Sequence, residues 1–376
     1  MKILIAPDKF KGSLTAGEVI AAVRAGIIRA RPDATVVAQP LADGGEGSLD
    51  IIRATRPVHE HRLKVTGPLR RPVDASYLLG EGVAYVETAA ACGLQHVPPR
   101  RRDPRYTTTI GVGQLIEDAL ARGAREVVLY LGGSATNDGG AGMAAALGYR
   151  FFSDRGHDFV PAGNSLGYVQ RIDREEVATA IGETKFVCIC DVNNPLLGPA
   201  GATHTYAAQK GAGAEDLSVL EEHMTHFSGL VEKTFGVPGL RETPGVGAAG
   251  GLAYGCRAFL NADLRSGADW VAELLTEGGL LDGVDLVITG EGSIDAQTAR
   301  GKVVAAVARA ARARGIRTLA LAGRSVLTDP LEQLPGVTAL RAIMDLPGMT
   351  ERRALDNAGE LLAGITEAYL RKRFPR

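Results

Sequence analysis

Cysteine, aromatic residues and net charge are all scarce in this chain, and each shortage excludes something. Four cysteines stand among 376 residues, Cys92, Cys188, Cys190 and Cys256, and no two of them have CxxC spacing. Buried thiols are expected rather than a disulfide framework or a zinc site, with Cys188 and Cys190 on one face of an apolar strand. Lys and Arg number 42 against 43 Asp and Glu, a formal charge of −1. The longest basic run, "RRRD", is too short to form a patch, so neither nucleic acid nor a membrane is an expected partner. No apolar run is long enough to span a bilayer. The opening run Ile3 to Ala6 stops at Pro7 and Asp8, too short for a signal peptide. A cytoplasmic protein is expected.

Glycine is what the chain has instead. It contributes 48 residues, nearly double the usual share of about 7%, gathered into a few clusters. Such clusters at strand ends let backbone amides approach a ligand, often an anion. The hydrophobic content of 45% is that of a folded protein, and the length exceeds what one core usually organises, so two domains are expected.

Hydrophobic patterning gives both ends of the chain the same parallel α/β grammar. Lys2–Ala6 reads as a buried strand. A capping box of Thr15 and Glu18 then opens a helix with Val19, Ile20, Val23 and Ile27 on its apolar face. Thr35–Ala38 is the next strand. Near the other end, Asp285–Thr289, Arg317–Ala322 and Thr338–Ala342 read as strands, and Leu355, Ala358, Leu362, Ile365 and Tyr369 keep helical spacing in a closing helix. Between the ends, residues 60–88 read as hairpins with turns at Gly67-Pro68 and Gly80-Glu81-Gly82. A helix near 110–122, strands at Val127–Leu131 and Phe186–Cys190, and a helix over 216–235 follow. His223 and His226 on that last helix have HxxH spacing but no carboxylate motif around them, which fits surface or core-edge histidines better than ligands. The expected fold is α/β with two domains. A parallel Rossmann- or flavodoxin-like sheet is built from both termini (1–60 and 282–376), and a mixed α/β domain (61–281) is inserted with the glycine-rich loops.

The loops carry the chemistry. "LGGSATNDGGAG" (131–142) follows a strand and starts a short helix, where unpaired amides favour an anion. Gly133, Ser134, Asn137, Asp138 and Gly139 are its candidate phosphate-binding residues, with Thr136 and Gly140 beside them. A tight turn would need about two glycines, fewer than are present. "GVGAAG" (245–250) matches GxGxxG, but Thr243 and Pro244 precede it rather than a strand, so it is weak as a dinucleotide fingerprint. It still marks Gly250 and Gly251 as a second candidate phosphate site. No GxxxxGK[ST] loop occurs.

Acids and lysines gather at the remaining strand ends, where parallel sheets bind ligands. They are Asp8, Lys9 and Lys11 with Ser13 in "IAPDKFKGSL", Asp43 and Glu46 in "ADGGEG", Asp191 in "CDVNNP", and Glu291, Asp295 and Lys302 in "GEGSIDAQTARGK". Any one of these acids is more often a turn former than a catalyst. Together they suit phosphoryl transfer, with carboxylates holding Mg²⁺ or taking a hydroxyl proton and lysines neutralising phosphate. Asp191, Lys11 and Asp43 are the catalytic candidates, Asp191 as the base. Asp8 and Asp43 are the metal candidates.

Nearly end to end the chain resembles the type I glycerate kinases, through "IAPDKFKGSL", "ADGGEG", "VTGPL", "TAAACGL", "GGSATNDGGAG", "CDVNNPLLGP", "QKGA", "GAAGG" and "ITGEGSIDAQTARGK". Lys9 stands where that family commonly has Ser, and Asn193 where it commonly has Asp. The resemblance implies ATP and Mg²⁺ as cofactors, D-glycerate as substrate, usually 2-phosphoglycerate as product, and substrate in a cleft between two α/β domains. The alternatives are a 3-phosphoglycerate product or a non-catalytic sugar-acid sensor; a homodimer is the oligomer considered.

Overall fold

The computed structural model describes residues 1–42, 44–45, 47–277, 279–299 and 302–375. In chain order its strands are β1 Lys2–Ile5, β2 Thr35–Ala38, β3 His59–Thr66, β4 Pro72–Gly80, β5 Val83–Glu87, β6 Glu126–Tyr130, β7 Arg150–Phe152, β8 Arg171–Asp173, β9 Lys185–Cys190, β10 Asp263–Ser266, β11 Leu286–Ile294, β12 Arg317–Ser325 and β13 Ala339–Ala342. The chain divides into two units, 1–43 with 267–376, and 44–266.

The first unit is a five-stranded sheet in the order β13-β12-β11-β1-β2, every pairing parallel. A sheet buried on both faces needs apolar residues at every position of its central strands, and Ile3, Leu4 and Ile5 are fully buried in β1. One face is covered by the helix Ala16–Ala30, through Val19, Val23 and Ile27, and by the helix Ala358–Arg373, through Leu362 and Ile365. The other face carries the helix Val303–Ala313 through Val304, Ala305 and Ala308. The capping box forms as read. The Glu18 amide donates to the Thr15 hydroxyl at 3.2 Å, and the Thr15 amide donates to the Glu18 carboxylate at 2.8 Å.

The second unit holds a six-stranded mixed sheet, β10-β9-β6-β5-β4-β3. β3, β4 and β5 run antiparallel; β5, β6, β9 and β10 run parallel. Glu81 and Gly82 have φ of 52° and 79°, the paired left-handed residues of a two-residue hairpin that matches strand twist. The helix Ile110–Ala121 covers one face with Val112, Leu115 and Ile116. A second core gathers Phe151, Met224, Phe227, Val231, Tyr254 and Phe259 around the helices Ala214–Phe235 and Ala248–Leu260. His223 and His226 lie on the first of these, each ring bonded to a backbone carbonyl, Gly163 at 3.3 Å and Val169 at 2.7 Å. Cys92, Cys188 and Cys256 are buried thiols and Cys190 is half-buried.

Three expectations change. The unit boundaries lie at 43/44 and 266/267 rather than near 60 and 282. The helix Ser48–Thr55 belongs to the second unit because Glu87 at the end of β5 accepts the Gly47 and Leu49 amides, each at 3.0 Å. The helix Gly267–Glu277 packs on Val303–Ala313 in the first unit. β11 and β12 also run past the expected strand ends, so Glu291 and Arg324 are strand residues, paired to Ala322 and Ser293. Finally, the closing helix is two helices. Thr350 caps Glu351–Asp356, Asn357 breaks the run, and Leu355 is 48% exposed instead of joining the core stripe.

Candidate active site

A cavity of about 370 Å³ lies in the first unit at the carboxyl ends of its strands, lined among others by Asp8, Lys11, Ser13, Glu291, Asp295 and Lys302. The fold dictates why these residues meet. β1 ends at Ile5, and past Pro7 the Asp8 amide donates to the Gly290 carbonyl at 2.9 Å, holding the chain beside β11. Phe10, 2% exposed, anchors the "DKFKGS" loop in the core, and the Phe10 amide closes it by donating to the Leu14 carbonyl at 2.8 Å. That loop lies so close to β11 that a Cβ on Gly292 would sit 3.1 Å from the Lys11 amide nitrogen.

Within the cavity the side chains are differently engaged. Asp8 is 8% exposed and one of its oxygens accepts the Lys9 amide at 2.6 Å. Glu291 accepts the Thr298 hydroxyl at 2.6 Å. Asp295 accepts the Thr298 amide at 3.3 Å, closing a short turn ahead of Lys302, which is the N-cap residue of the helix Val303–Ala313. The Ser13 hydroxyl is buried and has no partner among the described residues, a donor and acceptor available to a ligand. Lys11 is exposed. The expected site residues Asp8, Lys11, Ser13, Glu291 and Lys302 are thus brought together in one cavity. Asp43 and Glu46 lie outside the described residues.

In the second unit the loop 131–142 is largely enclosed, and it already holds an anion: its own Asp138. That carboxylate is fully buried. It accepts the Thr109 amide at 2.8 Å and hydroxyl at 2.9 Å, the Gly140 amide at 3.2 Å and the Gly142 amide at 3.3 Å. Burial still pushes the carboxyl above its usual range; the four hydrogen bonds pull the other way. The Gly139 amide donates to the Gly250 carbonyl at 3.2 Å, so the two glycine clusters interlock. Gly250 has φ of +70° and a Cβ there would lie 1.9 Å from the Thr136 carbonyl oxygen; Gly251 approaches Gly139 in the same way. Asp138 and the Gly139 amide, both expected to bind phosphate, are thus engaged inside the loops, and Gly250 and Gly251 serve close backbone approach.

Asn137 is fully buried, its amide donating to the Thr203 hydroxyl at 3.2 Å while its Oδ1 has no partner among the described residues. Gly133 is exposed at the surface of the loop. Asp191 directly follows β9 and is half-buried.

Lys210 was not among the expected site residues. It closes the short turn Ala208–Lys210, is 3% exposed, and donates to the Ser134 hydroxyl at 3.1 Å and the Thr136 carbonyl at 2.7 Å. Burial pushes its ammonium down to about 8, against the attraction of the Cys92 and Asp138 side chains. The only sequence signal is a lone lysine among small residues in "AAQKGA".

Comparison with known proteins places these features. Residues 3–372 match the glycerate kinase family. A glycerate kinase of Bacillus subtilis (strain 168) is 41% identical over 366 residues, 96% of this chain and 95% of that protein. A glycerate 2-kinase of Escherichia coli (strain K12) is 39% identical over 364 residues, 95% of each chain. A crystal structure of a protein from Salmonella typhimurium LT2 superposes with a TM-score of 0.85 at 37% identity, covering 99% of this chain and 98% of that one. These matches make the protein a kinase. It belongs to the glycerate kinase family.

Proposed function

We propose that the protein transfers the γ-phosphoryl group of ATP to the 2-hydroxyl of D-glycerate, giving 2-phosphoglycerate and ADP. The observation that carries this reading is the gathering of Asp8, Lys11, Ser13, Glu291 and Lys302 at the carboxyl ends of β1 and β11. Family membership and the name of the Escherichia coli relative support it.

In the transfer the glycerate oxygen forms a bond to phosphorus, the bond from phosphorus to the ADP oxygen breaks, and the hydroxyl proton passes to a carboxylate. Such a reaction asks the protein for position and charge rather than covalent chemistry. Lys11 and Lys302 neutralise phosphate or carboxylate charge, the Ser13 hydroxyl binds a ligand oxygen, and Asp191 takes the proton. Mg²⁺ bound with ATP would neutralise phosphate charge. It commonly needs only one or two protein carboxylates, and Asp8 is the described candidate; no group of three or more His, Cys, Asp or Glu residues suited to a metal occurs among the described residues. The four thiols and the use of ATP fit a reducing cytoplasm.

The test is incubation with ATP, Mg²⁺ and each glycerate enantiomer, with the product identified by phosphorus NMR. A 2-phosphoglycerate resonance from the D enantiomer is the expected result. A 3-phosphoglycerate resonance would correct the position, and binding of glycerate without ATP turnover would make the protein a sensor.

A further inference from the structure

The cavity in the first unit changes character along the sheet. It runs across four strand ends in the order β1, β11, β12, β13. Asp8 and Lys11 follow β1, and Glu291 stands on β11. At the β13 end its lining is mostly apolar, Ile343, Met344, Ala354, Leu355 and Ala358, with the exposed Glu351 one turn before Leu355. Three spacings between neighbouring strands separate the charged end from the apolar one, roughly 14 Å.

That apolar end joins three core residues to two large side chains that the core leaves exposed. Ile343, Ala354 and Ala358 are buried and form its floor, but Met344 is 37% and Leu355 48% exposed. Leu355 keeps the spacing of the core stripe, yet the break at Asn357 turns it out of the core and onto the cavity wall. Two large apolar side chains in one cavity with a row of charges are explained by a ligand with the same polarity, charged at one end and flat and apolar-faced at the other.

We propose that Met344 and Leu355 form the shelf on which the base of the nucleotide stacks, its phosphates running over β12 and β11 toward Lys302 and Lys11. This rests on the proposed ATP-dependent reaction, and it assigns the base to the segment between β13 and the last helix rather than to either glycine-rich loop. An aliphatic shelf holds the faces of a planar ring by dispersion and by exclusion of water.

The test compares ADP with inorganic pyrophosphate, the same kind of anion without a base, by isothermal titration of the full chain. Wild-type protein should prefer ADP at least tenfold. Leu355→Asp should cut that preference at least tenfold while leaving pyrophosphate affinity within about twofold. Leu355 is exposed, so the charge is tolerable to the fold; Met344→Ala, a smaller change, should move the preference in the same direction. ADP affinity unchanged in both variants would overturn the shelf, as would a wild type that binds the two ligands equally. Turnover of ATP with glycerate by the wild type is scored separately, so failure of the reaction and failure of the shelf give different results.

Discussion

Lys210 and Ser134 are 76 positions apart in the chain, yet the buried ammonium of the first lies 3.1 Å from the hydroxyl of the second. With its second bond, to the Thr136 carbonyl, Lys210 holds the loop after β6 from below. Replacing it by Met should leave both acceptors buried without a donor and loosen the loop.

The pH dependence follows from burial. The folded-state value of Lys210 is about 8, below the value of about 10.4 of a solvated lysine. Between those limits the unfolded chain binds more protons than the folded one, so the contribution of Lys210 to stability rises with pH across that window. The melting temperature of the wild type should therefore gain on that of Lys210→Met between pH 8 and pH 10. A constant gap between the two would mean that Lys210 titrates as it does in water.

Asp138 anchors the same loop from the other side. Asp138→Ala would strand three amides, those of Thr109, Gly140 and Gly142, and the Thr109 hydroxyl in a buried site, and each orphaned donor costs about 1–3 kcal/mol. We expect a loss of at least ~3 kcal/mol by urea unfolding, with nucleotide affinity of the remaining folded protein little changed. A drop in affinity without loss of stability would restore the loop to ligand binding.

Gly250 and Gly133 separate the two uses of glycine. Gly250→Ala drives a methyl group into a backbone carbonyl and should abolish folding or cost ~4 kcal/mol or more, beyond what local relaxation absorbs. Gly133, also at positive φ but exposed, meets only the Ala89 methyl at 3.3 Å; Gly133→Ala should cost about 1–2 kcal/mol, the strain of a left-handed alanine. Equal melting temperatures for the two variants would contradict the interlocked packing.

Most of the fold was legible in the chain because local signals and tertiary packing agree. The capping box at Thr15, the strand Thr35–Ala38 and the turn at Glu81-Gly82 all form where they were read. Two readings failed for physical reasons. Glycines beside Glu291 looked like a loop, but in a parallel sheet they let β11 and β12 continue side by side. The spacing from Leu355 to Tyr369 is helical throughout, and periodicity does not register the break at Asn357. Asp138 among glycines reads the same whether it faces a bound anion or is one. The place of Lys210 depends on contacts 74 and 76 residues away, which no local pattern reports.

Lys11 is the cation of the "DKFKGS" loop most available to a ligand, exposed on the cavity wall. Lys11→Met should raise KM for ATP or glycerate, or lower kcat, by roughly tenfold or more, the size of one charge-assisted contact. Its melting temperature should not move, because Lys11 buries nothing. Unchanged kinetics would make it a surface residue and shift the phosphate charge to Lys302.

The proton of the glycerate hydroxyl needs an acceptor as the bond to phosphorus forms, and a carboxylate on a rigid strand end is suited to it. Asp191 follows β9, whose residues Phe186 to Ile189 are buried, so its backbone is fixed; the "NNP" after it turns the chain away. Asp8 also follows a buried strand, but one of its oxygens is committed to the Lys9 amide and its place suits the metal-bound phosphates better. Asp191→Asn keeps the shape and removes the basic oxygen. If Asp191 is the base, kcat should fall by roughly 10²–10⁴-fold with little change in KM for ATP, and the residual rate should lose the acid limb of its pH profile. If kcat survives and the acid limb stays, the proton goes elsewhere, and Asp8→Asn is the variant to measure next.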